Sequence, residues 1–402
     1  MNIAFIVTHL SHGSPGSFER VHEIVRNLAD LSIKSTIFTP FNEDKKNITD
    51  VNIEVLPSTL SRLGLSSFAY KAARKAQQST LTSNFFLSET SVSGMVANIR
   101  SGIRKIMRRN KFDILHAIQP IAALACAPIA KELGIPLMAD LHNIWPEEAV
   151  EQKVSTNKDN TFIRLWNYEQ NIIDSSDVVT VVSDFMKSYI VRNYSVSNKS
   201  IVVLPPGGPL LDNLSGAHRE NNVVYSGMVS HREHVDLLAR SIPLVKQAGS
   251  FFISSYGDAI DDIQKINALL GPPRLNYFWF VKRYEAFEFL KRSKIGILTS
   301  QNNITRQLGT PCKLFSYMAC GLPIIANDIG GWSDMIKDEN IGLLTNDDPE
   351  DFADSIDMLL ADDSLWHRMH SNAINLIRTK YNWKKNVQDI LIPIYDRLGY
   401  KR

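Results

Sequence analysis

Short apolar runs of strand length alternate with amphipathic stretches of helix length along this chain of 402 residues, and the alternation occurs twice. The seven runs of the first series are rich in β-branched residues and nearly uninterrupted, as in strands covered on both faces. They lie at residues 3–8, 35–39, 52–56, 113–117, 137–142, 178–183 and 201–204. Strands alternating with helices in this way predict a parallel sheet with right-handed crossovers.

The second series contains six runs of strand length. They lie at residues 223–226, 251–255, 275–281, 295–299, 323–326 and 341–344. The cluster at residues 205–209, Pro-Pro-Gly-Gly-Pro, separates the two series and can continue neither a helix nor a central strand. We therefore predict an α/β protein with Rossmann-like domains at residues 1–209 and 210–380, facing each other across a cleft, and a C-terminal helix at residues 381–402 that can return to the first domain.

Composition narrows the class of protein. The chain is 44% hydrophobic and 21% charged, which is typical of a globular protein, and its net charge of +2 gives no indication of nucleic-acid binding. Its three cysteines, Cys126, Cys312 and Cys320, lack the spacing of a disulfide framework or a metal site. Residues 1–7 are typical of a strand and not of a signal peptide, and no apolar run approaches the ~18 residues of a membrane span. We expect a cytoplasmic protein.

The first domain offers two segments for chemistry. A glycine-rich turn containing Gly16 and Ser17 precedes the first helix pattern, where free N–H groups suit a phosphate, although a tight strand–helix turn explains it equally. His142 follows the fifth strand pattern, where its side chain can bond a sugar hydroxyl or move a proton, or simply bond to loop backbone. Asp140 and Glu147 nearby can be caps.

The second domain offers two more. Gly227 ends its first strand and allows close approach of a ligand, and Arg232 can neutralise a diphosphate or lie solvated in a loop. At residues 307–323, Thr310 and Pro311 predict an N-cap and a first helical residue, and Gly321 predicts the end of that helix. Gly309 precedes the helix and Lys313 lies in its first turn, where a cation is unfavourable unless an anion binds nearby.

These segments resemble the retaining glycosyltransferases of family four, which have the GT-B fold. Residues 16–20, Gly-Ser-Phe-Glu-Arg, are similar to the family's GG-x-E-R opening. Residues 313–326 are similar to its K-L-F-E-Y-M-A-x-G-x-P-V-I-A segment, and Gly330-Gly331 follows at the usual distance. The resemblance extends in order through residues 113–117, 142–147, 176–183 and 201–205.

The resemblance implies transfer of a sugar from a nucleotide diphosphate donor, with retention, to a glycan or lipid-linked acceptor. It implies that no metal or cofactor is needed, that the donor lies on the second domain and that His142 is catalytic. With the residue patterns above, it leads to nine predicted donor-binding residues: Gly16, Ser17, Gly227, Arg232, Gly309, Thr310, Lys313, Leu314 and Ser316.

The sequence departs from the family at several of these positions. The family commonly has two glutamates where this chain has Leu308 and Ser316. It often has arginine after Gly227 and lysine some six residues later, where this chain has Met228 and, near that spacing, Glu233 and His234. A non-catalytic relative that binds a sugar or a partner protein, or a nucleotide-sugar epimerase of the same fold, therefore stays open.

One helix pattern is strongly basic. On residues 96–111, Arg100, Arg104, Arg108 and Lys111 form one stripe, and an apolar stripe lies beside it. Such a helix can bind an anionic membrane at the cytoplasmic face, or pack on the core with a solvated basic face. The first alternative predicts a peripheral enzyme with a membrane-borne acceptor.

Overall fold

The computed structural model describes most of the chain. The described residues are 1–8, 15–40, 50–57, 88–196, 200–212, 219–254, 260–269, 275–278 and 283–399. They form two compact units: unit 1 is Met1–Pro205 with Trp383–Arg402, and unit 2 is Pro206–Asn382. The chain thus leaves unit 1 between Pro205 and Pro206, a few residues before the predicted boundary, and returns to it at Trp383.

Unit 1 contains a sheet of seven parallel strands in the order β3-β2-β1-β4-β5-β6-β7. The strands are β1 Asn2–Val7, β2 Lys34–Thr39, β3 Ile53–Val55, β4 Ile114–Ile118, β5 Leu137–Leu141, β6 Val178–Val181 and β7 Ser200–Val203. The order reverses at β1, so β1 and β4 form the switch point of a doubly wound sheet.

In the described part of unit 1, six helices connect these strands. They are α1 Pro15–Asp30, α2 Glu89–Arg109, α3 Pro120–Leu133, α4 Trp145–Glu151, α5 Asn160–Ser175 and α6 Asp184–Asn193. Side-chain caps start three of them: Ser88 accepts from the N–H of Ser91 in α2, Asp159 from that of Phe162 in α5, and Ser183 from that of Met186 in α6. Such caps satisfy N–H groups that have no partner within the helix.

The C-terminal segment belongs to unit 1. It runs through a short helix, Trp383–Lys385, a π-helical turn, Asn386–Leu391, and a last helix, Ile392–Gly399. Trp383, Leu391 and Tyr395 are buried in the same core cluster as strand β1. Residues 383–399 therefore complete the core of the unit that the N-terminal strands begin.

Unit 2 contains a sheet of six parallel strands in the order β10-β9-β8-β11-β12-β13. The strands are β8 Asn222–Ser226, β9 Ser250–Ser254, β10 Leu275–Phe278, β11 Ile295–Leu298, β12 Ile324–Asn327 and β13 Gly342–Thr345. Val223 and Tyr225 lie in one core cluster and Val224 lies in another, so strand β8 is buried on both faces. This burial explains why these strands are continuous apolar runs.

The helices of unit 2 follow the same alternation. They are α7 Val235–Ser241, α8 Ile260–Leu269, α9 Arg283–Arg292, α10 Ile304–Leu308, α11 Cys312–Ala319, α12 Trp332–Asp338, α13 Pro349–Ala361 and α14 Asp363–Thr379, with 3-10 turns at His231–Glu233 and Ile242–Leu244. Helix α7 ends at Ser241, where a 3-10 turn follows that contains Pro243, which has no N–H to donate.

The predicted fold class, two parallel α/β sheets, is confirmed. Each of the thirteen predicted strands has a counterpart, with bounds that differ mostly by one or two residues. Among the described helices, none combines the length and the apolarity that a membrane crossing requires.

Candidate functional site

The site in unit 1 is built on the carboxyl end of strand β5, where Asp140 is fully buried. Arg20 of helix α1 donates to both carboxylate oxygens, from Nε to Oδ2 at 2.7 Å and from Nη2 to Oδ1 at 2.9 Å. The same Nη2 also donates to the carbonyl oxygen of Leu204 at 2.8 Å, and Thr180 Oγ1 donates to Asp140 Oδ1 at 2.8 Å. Asp140 is therefore a structural anchor for three segments of unit 1.

His142 lies two residues after Asp140, with its Nε2 atom 3.1 Å from Asp140 Oδ2. Its side chain is 11% exposed. Burial by itself would raise the pKa of Asp140, but the Arg20 guanidinium and His142 hold it well below its ordinary value. The carboxylate thus stays ionised and fixes the orientation of the imidazole.

Sequence reasoning missed the role of Arg20, although the family pattern at residues 16–20 contains it. Its partner Asp140 is 120 residues away in the sequence and was interpreted as a possible cap. The available signal was the place of Arg20 on the apolar face of a helix, which the structure buries, because a buried charge needs a partner.

A second buried acid supports the segment after His142. Helix α4 begins at Trp145, whose N–H donates to Glu169 Oε1 at 2.6 Å, and Tyr194 OH lies 2.5 Å from Glu169 Oε2. Burial raises the pKa of Glu169 to about 8. This carboxyl is therefore predominantly neutral at pH 7 and ties the start of α4 to helix α5.

Gly16 and Ser17 lie in the first turn of helix α1, which begins at Pro15, so they do not precede the helix as predicted. Residues 9–14, which contain the rest of the predicted turn, lie outside the described residues. The two residues are thus placed at a helix N-terminus, and their side chains are not described.

The site in unit 2 centres on Glu233, at the end of the 3-10 turn after strand β8. Lys313 Nζ lies 2.6 Å from Glu233 Oε2, and Arg306 Nη1 lies 3.1 Å from Glu233 Oε1. Lys313 Nζ also donates to Tyr225 OH at 2.7 Å, and this hydroxyl donates to the carbonyl oxygen of Met228 at 2.6 Å. Residues from four segments of unit 2 therefore meet at one carboxylate.

The charges of Glu233 and its cationic neighbours influence one another's pKa values. Burial would raise the pKa of Glu233, but Lys313 and Arg306 outweigh it and lower the pKa to about 2. Burial also lowers the pKa of Lys313, against the opposing effect of Glu233. Arg232 adds a further positive charge near Glu233, so three cations surround one carboxylate. The group has an excess of positive charge.

Gly227 lies against Lys313. Its φ of +147° disfavours any residue with a side chain, and a Cβ atom there would lie 3.1 Å from both Cε and Nζ of Lys313. Glycine at this position therefore allows the ammonium group to approach the end of strand β8.

The remaining predicted donor-binding residues lie around the start of helix α11. Pro311 occupies the N-cap position and the helix begins at Cys312, so Thr310 is not the N-cap residue as predicted. Gly309 ends helix α10, and Ser316 Oγ lies 3.5 Å from the Cys312 carbonyl oxygen, within hydrogen-bond reach. The side chain of Leu314 is fully buried in a core cluster, which leaves this side chain no surface for a ligand.

The residues of the basic stripe on helix α2 differ in their contacts and exposure. Arg100 is half-buried and donates to the carbonyl oxygen of Leu124 at 3.2 Å, and Arg104 pairs with Glu132 at 2.9 Å. Both acceptors lie on helix α3. Arg108 and Lys111 are exposed at and beyond the end of α2. Helix α2 thus packs its apolar face on the core, and only part of its basic stripe faces solvent.

Comparison with known proteins agrees with these two units. The family model for Glycosyltransferase Family 4 matches residues 16–209, and the model for glycosyl transferases group 1 matches residues 220–362. An uncharacterized glycosyltransferase of Methanocaldococcus jannaschii is 23% identical over 245 residues, which are 56% of this chain. The match spans 60% of the length of that relative.

Two solved structures show the same fold. Sucrose-phosphate synthase from Thermosynechococcus elongatus has a TM-score of 0.76 and 16% identity, with all of both chains covered. Anabaena HepE in complex with UDP has a TM-score of 0.72 and 14% identity, covering 98% of this chain and 100% of HepE. With its two Rossmann-like units and both family matches, the chain belongs to the group 1 glycosyltransferases of the GT-B fold.

Proposed function

We propose that this protein transfers a sugar from a nucleoside diphosphate sugar to a glycan or lipid-linked acceptor, and that unit 2 binds the donor. The observation that carries the proposal is the group of three cations around Glu233, which are Arg232, Arg306 and Lys313, with Lys313 lying beside Gly227. Cations at the carboxyl end of a parallel strand suit a ligand diphosphate, since ligands of doubly wound sheets bind at that edge.

The chemistry follows from the leaving group. Cleavage of the bond between the anomeric carbon and the diphosphate oxygen leaves negative charge on the diphosphate, and positioned cations stabilise that charge as it develops. Lys313 and Arg306 are the side chains proposed for this role. The developing charge on the sugar is oxocarbenium-like, as in glycoside hydrolysis.

We expect retention at the anomeric carbon by attack of the acceptor on the face that the diphosphate leaves. Asp140, the carboxylate next to His142, is fully buried and bonded to Arg20 and Thr180, which argues against a role as enzymic nucleophile. His142 is the proposed catalytic residue. Oriented by Asp140, its imidazole can bond a sugar hydroxyl or accept the acceptor's proton.

The base and the sugar of the proposed donor are chosen by comparison with HepE. HepE has been solved with UDP, with UDP and glucose, and with UDP-glucose. A UDP-hexose is therefore the first donor to test for this chain. This choice makes the proposed enzyme a hexosyltransferase.

Titration calorimetry with UDP, GDP, ADP, CDP and TDP tests donor binding. One of them should bind the full chain, and Lys313→Ala should weaken that binding by about 1–3 kcal/mol, as expected for a charge-assisted contact. Lys246→Ala, at an exposed lysine paired with Asp354, is the matched control and should not change it. Failure of all five diphosphates to bind would reject donor binding.

A non-catalytic nucleotide-sugar-binding protein is the second candidate. It is favoured by Glu233, which places a carboxylate where a lysine is common in the family. An assay for hydrolysis or transfer of the sugar from bound UDP-sugar distinguishes the enzyme from the binding protein, since a binding protein would retain its ligand unchanged.

For the acceptor, we propose a glycolipid reached by peripheral docking at the cytoplasmic face of a membrane. The proposal is supported by the exposed Arg108 and Lys111 at the end of helix α2. Each basic residue near an anionic surface contributes about 1 kcal/mol, so the attachment is weak and salt-sensitive.

Co-sedimentation with phosphatidylserine vesicles at low salt tests the docking. Binding should be lost in Arg108→Ala/Lys111→Ala and retained in Arg104→Ala, because Arg104 is paired with Glu132. A protein that stays in the supernatant would favour a soluble acceptor.

A further inference from the structure

Glu233 lies at the centre of the proposed donor site, and its negative charge has the same sign as the diphosphate of a donor. Each of its carboxylate oxygens faces a different cation: Oε1 lies 3.1 Å from Arg306, and Oε2 lies 2.6 Å from Lys313. A phosphate presents the same kind of anionic oxygens to these side chains. The carboxylate and a ligand phosphate therefore compete for the same cations.

We infer that Glu233 is an internal competitor of the ligand's diphosphate, which weakens diphosphate binding and makes the affinity of the site depend on ligand charge. This inference rests on the proposed function, because it concerns the same site. It assigns Glu233 a role in setting ligand specificity.

The backbone around Glu233 holds the carboxylate in place. Its N–H donates to the carbonyl oxygen of Ser230 at 3.0 Å, and its carbonyl oxygen accepts from Thr299 Oγ1 at 2.8 Å. The next residue, His234, has a left-handed backbone with φ of +52°. A shift of the whole turn is therefore unfavourable, and the ligand must exchange with the side chain alone.

Exposure indicates which ion pair the ligand meets first. The side chain of Arg306 is 24% exposed, whereas those of Lys313 and Glu233 are 14% and 11% exposed. Of the two cations that face the carboxylate oxygens, Arg306 is thus the more exposed. A diphosphate would take Arg306 from Glu233 first and reach Lys313 only when the carboxylate has turned away.

The position of Glu233 in the sequence supports the inference. Glu233 and His234 lie near the position after Gly227 where the family often has lysine. A lysine there would add a positive charge to the site, whereas the glutamate removes one. Lys313, Arg306 and Arg232 still outnumber this carboxylate, but the positive charge of the site is smaller than it would be with a lysine at this position.

The test compares the charge-neutral variant Glu233→Gln with Glu233→Asp, which retains the charge. Binding of UDP, inorganic pyrophosphate and uridine to the full chain is measured by calorimetry. Glu233→Gln should bind UDP and pyrophosphate about tenfold more tightly than the wild type, because one opposing charge is removed. Uridine binding should be unchanged, and Glu233→Asp should bind all three ligands about as the wild type does.

A second comparison guards against poor folding of Glu233→Gln, which leaves the surrounding cations without their carboxylate. Arg306→Gln removes one of the cations that face Glu233 and should bind pyrophosphate more weakly than the wild type. Adding Glu233→Gln to that variant removes the opposing carboxylate while Lys313 and Arg232 remain, and pyrophosphate binding should recover by about tenfold.

The outcomes separate the two proposals. If the wild type binds UDP and Glu233→Gln binds it equally or more weakly, the role of Glu233 is overturned. The same holds if pyrophosphate binding does not recover in the double variant. In both cases the donor site itself is left intact. If neither the wild type nor any variant binds UDP or pyrophosphate, the donor site itself fails, and the inference fails with it.

Discussion

Asp140 Oδ2 lies 3.1 Å from His142 Nε2, and the same carboxylate receives two hydrogen bonds from Arg20 on another side. A single buried acid thus joins a structural ion pair to the proposed catalytic imidazole. The two roles predict different consequences when the acid or the histidine is changed.

Asp140→Asn should lower the free energy of unfolding by about 3–5 kcal/mol, because it leaves the buried Arg20 without its counter-ion. Thr180→Val removes only a neutral donor to the same carboxylate and should cost about 1–3 kcal/mol. Urea denaturation of both variants measures the difference. Equal losses would show that the charge of Asp140 is not what stabilises unit 1.

His142→Ala should reduce sugar transfer by about a hundredfold or more, while the free energy of unfolding changes by about 1 kcal/mol. The side chain contributes one contact to a carboxylate that has other partners, so folding depends on it little. His142→Gln keeps a hydrogen-bond donor but cannot accept a proton at neutral pH. Activity in the glutamine variant would assign His142 to positioning, and full activity in both variants would remove it from the site.

Gly227→Ala should weaken UDP binding about tenfold, since the new Cβ atom would lie 3.1 Å from Lys313 Nζ in a backbone conformation that disfavours side chains. Gly94→Ala is the matched control: it lies on helix α2 and its Cβ would meet nothing within 4 Å. That variant should bind UDP normally and gain up to about 1 kcal/mol of stability. Equal UDP binding by both variants would exclude a close fit at Gly227.

The strands could be predicted from the sequence because burial on both faces leaves a nearly continuous apolar run, as at Val223, Val224 and Tyr225. The strand ends also predicted where His142 and Gly227 lie. Helix starts were less certain: Thr310 has the side chain of a typical N-cap, yet Pro311 takes that position.

The partners within each site could not be predicted, because they are distant in the sequence. Glu233 and Lys313 are 80 residues apart, and Arg20 and Asp140 are 120 residues apart. The sequence indicated Glu233 only as a missing lysine. That it binds both Arg306 and Lys313 depends on how the turn after β8 packs against helices α10 and α11, which no local pattern encodes.

The buried acid Glu169 makes the stability of unit 1 depend on pH. Its pKa is raised by burial from 4.5 to about 8, so the folded protein holds a proton between these values that the unfolded chain has released. Stability therefore falls as pH rises through this window, by at most about 1.4 kcal/mol per pH unit, and levels off above pH 8.

Urea denaturation of the full chain at intervals from pH 5 to pH 9 tests this dependence. Glu169→Gln, a neutral amide of similar shape, should remove the Glu169 contribution and flatten the profile relative to the wild type. Tyr194→Phe removes the hydroxyl at Glu169 Oε2 but keeps the carboxyl buried, so the fall with pH should remain. A Glu169→Gln profile that falls as steeply as that of the wild type would mean that Glu169 is ionised in the folded protein. In that case the link between Trp145 and Tyr194 would be a charged one.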